Sequence, residues 1–156
     1  MTESGGRKIV AQNRKARHDY HVLDTIETGI VLVGTEVKVV RGGKAGLIGS
    51  YASIDRNNGE LFISGMTIPP YDYGNRFNHD SQRPRKLLVH KKELRKLRVQ
   101  VEQKGNTLVP LSLYLLKGRV KVELAICKGK DAADKRETIR RRDADRDAQR
   151  AMRNHR

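Results

Sequence analysis

Two neighbouring stretches of this chain alternate between apolar and polar residues and are joined by only two residues. Residues 107–116 bring Leu111, Leu113 and Leu115 to one side. Residues 119–126 bring Val120, Val122, Leu124 and Ile126 to one side and turn Lys121 and Glu123 to the other. A period of two is that of a half-buried β-strand. Lys117-Gly118 between them suits a hairpin turn. The pair commits the chain to antiparallel sheet.

The rest of the first 127 residues follows the same style. Residues 20–26 and 28–33 are rich in β-branched and apolar side chains, and residues 50–55 and 60–68 flank Asn57-Asn58-Gly59, where Asn-Gly favours a tight hairpin. Two helices interrupt the strands. Residues 35–41 read as a short helix with Thr35 as N-cap and Gly42-Gly43 as stop. Residues 91–104 put Leu94, Leu97 and Val101 on one face, Lys92, Arg95 and Lys96 on another, and end at Gly105. Five or six short strands with such helices predict a mainly β fold: a closed antiparallel OB-type barrel with two or three short helices. Closure removes exposed sheet edges.

Residues 128–156 differ. They hold 11 basic and 6 acidic residues, and Ile139 and Met152 are their only sizeable apolar side chains. Helix formers and i, i+4 pairs such as Asp131/Lys135 and Glu137/Arg141 favour helix, yet the apolar stripe is too small to order it alone. Two domains are therefore expected: a barrel over 1–127, and a basic tail over 128–156 that is disordered when free and helical when bound. A solvated helix docked on the body is the bland alternative.

The whole chain has 156 residues, with 33 Lys and Arg against 18 Asp and Glu, a net charge of +15. Such a surplus repels itself and calls for a polyanionic partner. A single cysteine, Cys127, forbids an internal disulfide and fits a reducing compartment, so a cytoplasmic location is expected. Residues 29–34 are the longest apolar stretch, far below the roughly 20 residues of a membrane span. Residues 1–8 carry no apolar signal-peptide core.

Catalytic constellations are missing. Gly42-Gly43-Lys44 lacks P-loop spacing, and Ser50 after Gly49 is no nucleophile elbow. Cys127 ends an apolar strand and reads as a core residue. His18 and His21 have no third ligand spaced to join them, so no metal and no cofactor are expected. A histidine-based RNase, with His18 as base and His79 or His90 as acid, is the competing enzyme reading.

The binding reading is stronger. Nine basic residues fall within 76–98 against Asp80 and Glu93 only. With seven aromatic residues and no Trp, stacking on single strands is a poor main term, so a folded, A-form-like RNA gripped by its backbone fits better. In residues 13–20, Arg14, Lys15, Arg17 and His18 lie beside Asn13, a cluster able to straddle two phosphates. Glu27 nearby either orients RNA or pairs with a basic neighbour.

The runs NRKARHDY (13–20), ETGIVLVGTEVKVVRGGK (27–44), NRFNHD (75–80), RPRKLLVHKKEL (83–94) and TLVPLSLYLLKGRVKVELAICKGK (107–130) together resemble the small protein B (SmpB) family of bacterial tmRNA-binding proteins, almost from end to end. The resemblance implies an OB-type barrel that holds the tRNA-like domain of tmRNA. It implies delivery of alanyl-tmRNA, with elongation factor Tu and GTP, to stalled ribosomes for trans-translation, by a non-enzymatic protein that is a monomer. A generic basic OB-type ribosomal protein is the alternative. Matched residue by residue, the RNA-facing set is Asn13, Arg14, Lys15, Arg17, His18, Glu27, Gly29, Lys38 and Arg41, extended by Lys44. Leu88 matches a tmRNA-linked position, with a core role equally open. Gly129 matches a hinge. The resemblance implies that Lys130, Asp134, Lys135 and Arg136, with Arg140 and Arg141, form a tail set facing the ribosomal decoding centre and mRNA channel. Asp131 and Ala133 depart from the family pattern, which calls for a second Lys and for an aromatic or His.

Overall fold

A computed structural model describes residues 6–72, 78–103, 106–129 and 146. Seven strands and three helices follow in the order β1 (Lys8–Gln12), α1 (Arg14–Asp19), β2 (Tyr20–Ile30), α2 (Gly34–Arg41), β3 (Tyr51–Ile54), β4 (Leu61–Ser64), β5 (Arg85–Leu88), α3 (Lys91–Glu102), β6 (Asn106–Leu116) and β7 (Arg119–Gly129). All pairings are antiparallel, and the sheet order is β1-β6-β3-β4-β5-β2-β7 with a further β6–β7 pairing. The last pairing returns the circuit to β6, so six strands form a ring of neighbours and β1 lies outside it on β6. The closure is uneven. β2 and β7 share nine register pairs, whereas β3 meets β6 at Ala52↔Leu108 alone.

The 107–126 hairpin forms as its alternation requires, and it is the spine of the fold. Lys117 (φ 50°) and Gly118 (φ 77°) both take positive φ, as a two-residue turn matched to strand twist demands. One expectation fails within it. Leu111 does not share a face with Leu113. Pro110 cannot donate to the ladder, and the register slips between Pro110 and Ser112, leaving Leu111 as the extra residue of a bulge. Leu108 and Leu113 therefore enter the main core, while Val109 and Leu111 turn outward.

That outward face is not left to solvent. Val109, Leu111, Ala125 and Cys127 form a second apolar cluster beneath Ala16 of α1, with Tyr20 packed on it. Cys127 is thus a buried core thiol, and burial pushes its pKa up to about 11. Inside the ring, Val40, Leu47, Leu61, Ile63, Met66, Ile68, Leu97, Leu113, Val122 and Leu124 are essentially inaccessible.

Other differences are local. Residues 20–30 form one strand, with a bulge between Val22 and Asp24, rather than two. The β3–β4 connection is wider than a two-residue Asn-Gly turn: Asp55 and Glu60 still bond through their backbones, and Asp55 Oδ1 accepts from Asn57 N–H at 2.7 Å. The N-cap of α2 is Val33, not Thr35. Thr35 instead bonds His79 at 2.8 Å. Strand β7 runs to Gly129, paired with Tyr20, so Lys128 and Gly129 belong to the sheet rather than to the tail.

A buried ionic node locks α2 to β5. The Glu36 and Arg85 side chains are both 0% exposed. Glu36 accepts from Arg85 Nε (2.6 Å), from Arg83 Nε (3.1 Å) and Nη2 (2.5 Å), and from Val33 N–H (2.9 Å). The remaining donors of Arg85 go to the carbonyls of Met66, Arg83, Asp80 and Ser81. Among the described residues no buried side-chain polar atom lacks a partner. Burial alone would raise the Glu36 pKa, but the hydrogen bonds from Arg83, Val33 and Arg85 outweigh it and hold the carboxyl below its ordinary range.

Candidate nucleic-acid interface

Within the cluster at residues 13–20, Arg14–Asp19 form α1 and Asn13 is its N-cap. The Asn13 Oδ1 accepts from Ala16 N–H at 3.2 Å, and its Nδ2 donates to the carbonyls of Pro110 (3.0 Å) and Leu47 (3.3 Å). Its own N–H bonds the Leu111 carbonyl at 2.8 Å. The residue is buried and its amide is spent inside the protein. Asn13, expected to face RNA, thus seats α1 against the β6 bulge and lines the cleft beside it. The cap signal, an Asn before four helix-compatible residues, was present in the sequence.

What α1 then presents is cationic. Arg14, Lys15 and Arg17 are exposed, while His18 is half-buried, with Nδ1 at 2.7 Å from Asp19 Oδ1. Arg14 and Arg17 line a cleft of about 420 Å³ with Arg7, Gln12, Ser112 and Glu123. Arg17 lies 3.8 Å from Glu123.

Glu27 stands directly across the β2–β7 ladder from Glu123. Arg7 bridges the two carboxylates at 3.6 Å from each, and its guanidinium lies 4.0 Å from the centre of the Tyr114 ring. Tyr114 donates its hydroxyl to Glu27 Oε2 at 2.5 Å. Both of these partners of Glu27 lie within the protein, and one of them, Arg7, is basic. Arg7 and Tyr114 are absent from the sequence-derived set, because one lies in a weakly patterned segment and the other reads as core.

A second recess continues from Glu27. It is about 430 Å³ and is bounded by Gly29, Leu88, His90, Glu93 and Lys121. Gly29 pairs with Leu88, and a Cβ at Gly29 would stand 3.3 Å from the Leu88 Cβ, so glycine permits this close approach. Leu88 is 49% exposed, which places it at the surface and not in the core. Gly29, Leu88 and Lys121 also line a third recess with Gly118 and Arg119. Arg41 of α2 reaches the Gly118 carbonyl at 3.4 Å. One band therefore joins α1, Glu27, Gly29 and Leu88, the β6–β7 turn and Arg41. Lys38 is exposed but inclines to the Tyr71 ring, at 5.2 Å, and Lys44 is exposed beyond α2.

The run at 83–86 is not part of this band. Arg83 and Arg85 are consumed by Glu36, and Lys86 pairs with Glu60 at 3.2 Å. His79 is engaged through both ring nitrogens. The Ile68 carbonyl can only accept, so Nε2 donates a proton to it (2.9 Å), while Nδ1 shares a hydrogen bond with the Thr35 hydroxyl (2.8 Å). That histidine has no proton in position to donate to a substrate. Gly129 is an exposed end of β7, whereas Lys130, Asp134, Lys135, Arg136, Arg140 and Arg141 lie outside the described residues.

Comparison with known proteins follows the same line. The family model described as SmpB protein matches residues 10–154. The SsrA-binding protein of Acetivibrio thermocellus is 56% identical over 146 residues, 94% of each chain. That of Saccharopolyspora erythraea is 51% identical over 152 residues, covering 97% of this chain and 95% of the other. A solved structure described as "tmRNA-SmpB: a journey to the center of the bacterial ribosome" superposes with a TM-score of 0.66 at 49% identity, covering 83% of this chain and 94% of its own.

Proposed function

The chain belongs to the SmpB protein family, and from that premise we propose that it binds tmRNA and serves trans-translation on stalled ribosomes. The observation that carries this reading is the near full-length identity of about half with SsrA-binding proteins, joined to the superposition on the tmRNA–SmpB structure. The band from α1 to Arg41 supports it physically. Exposed guanidinium and ammonium groups bind backbone phosphates with release of counterions. A carboxylate and an exposed leucine among them supply contacts that phosphate attraction does not.

The finer parts belong to the same proposal. The ring of six strand neighbours is read as an OB-type barrel that ends with β7 at Gly129, holding the tRNA-like domain of tmRNA as a monomeric, non-enzymatic adaptor in the cytoplasm. Residues 130–156 are read as a tail that orders on the ribosome, at the decoding centre and in the mRNA channel. About 25 helical residues span roughly 40 Å, enough for such a path. Elongation factor Tu with GTP is the expected companion of the charged RNA.

Removal of residues 130–156 separates the two roles. The truncated protein should bind tmRNA with nearly full affinity and should not support peptide tagging on stalled ribosomes in a reconstituted translation assay. Tagging by the truncated protein would overturn the tail assignment. Absence of tmRNA binding by the full chain would overturn the function itself.

A further inference from the structure

We propose that Tyr114 is a positioning residue for RNA recognition: its phenol holds one oxygen of Glu27 so that the other meets a hydrogen-bond donor on a nucleotide. The inference rests on reading this face as the tmRNA interface.

The arrangement begins with a cost. Like charges directly opposite on a ladder destabilise it, yet Glu27 faces Glu123. Arg7 offsets that cost from one side, 3.6 Å from both. Tyr114 is 0% exposed, and its hydroxyl ends against Glu27 Oε2. The Glu27 side chain itself is 40% exposed. Among the described residues its contacts, with Tyr114 and Arg7, both fall on Oε2. Oε1 is left to face solvent or a ligand, at the edge of the recess that holds Lys121 and Leu88.

A carboxylate in a phosphate-binding band repels phosphate. Its ligand must carry a donor, either a ribose 2′-hydroxyl or an exocyclic base amine. A free glutamate side chain must be ordered when it binds, and prior fixation removes that cost from the binding step. Tyr114 supplies the fixation and Arg7 roofs its ring. Burial, and then the Glu27 carboxylate, hold the phenol well above its ordinary range, so it stays a donor at all physiological pH values.

The test uses the full chain and tmRNA across a salt series. Tyr114→Phe should weaken binding about 3- to 12-fold, the size of one ordinary hydrogen bond, with the salt slope unchanged because no phosphate contact is lost. In a Glu27→Ala background the same change should cost nothing further. Two altered RNAs separate the donors, one with 2′-deoxyriboses and one with bases lacking exocyclic amines. The alteration that makes the RNA insensitive to Glu27→Ala identifies the group it removes as the donor. Glu27→Asp, which keeps the charge but withdraws it from the phenol, should bind as weakly as Glu27→Ala, and it tests the inference even if Tyr114→Phe fails to fold. Wild-type affinity for Tyr114→Phe or Glu27→Asp, additive penalties, or a flattened salt slope would overturn it. Failure of the unaltered chain to bind tmRNA would instead overturn the reading beneath it.

Discussion

Glu36→Gln is the substitution whose effect the structure fixes most closely. The native carboxylate accepts four hydrogen bonds, three of them from arginines, and one of those arginines is wholly buried. Glutamine keeps the shape but leaves one acceptor oxygen and turns an amide N–H₂ toward guanidinium donors. Arg85 then sits buried as an uncompensated cation. Breaking a buried pair in this way costs about 3–5 kcal/mol. Against a domain stability of about 5–15 kcal/mol, that is a fall in Tm of roughly 10–20 °C. Acid titration supplies an independent sign. The folded-state pKa of Glu36 is depressed. Its stabilising contribution is therefore complete above the unfolded carboxylate pKa and is lost as pH falls through the folded value. Calorimetric melts of both proteins from neutral to acid pH should show a large gap at neutrality that narrows as the pH drops. A variant melting within about 2 °C of wild type at neutral pH, well under 1 kcal/mol, would refute the view that this node locks α2 to β5.

Two further predictions are simpler. Asn13→Ala removes a helix cap and leaves the Pro110 carbonyl short of a donor, so the melt should show a loss of about 1–3 kcal/mol, while the salt slope of RNA binding stays put. Arg17→Ala should flatten the slope of log K against log salt by about one unit if Arg17 meets one phosphate, and an unchanged slope would remove it from the interface.

The sequence carried its clearest information where a single period governs a long stretch. The 107–126 hairpin and the apolar stripe of α3 are legible for that reason. Strands β1 and β5 are four or five residues long and carry charges, so no period emerges from them. The face of Leu111 was misread because a proline-linked bulge reverses phase within one strand, and alternation alone cannot report a slip. The exposure of the candidate set was legible where it follows from charge, as at Arg14, Lys15 and Arg17. The weight given to the basic run at 76–98 was misplaced where charge is used internally. Arg83 and Arg85, two residues apart, share one side of an extended segment, but nothing local shows that Glu36, 47 and 49 positions away, waits on that side. Tyr114 was hidden for the opposite reason: its ring is core and only its hydroxyl belongs to the site.

The extension of β7 to Gly129 has a mechanical meaning. Near its end this strand is flanked by β2, through Tyr20 and His21, and by β6, through Asn106 and Thr107. Tension applied to the chain beyond Gly129, along the strand axis, loads both ladders in shear, so their bonds resist together instead of unzipping singly. Whatever grips the C-terminal segment can therefore pull on the whole body as on a rigid handle.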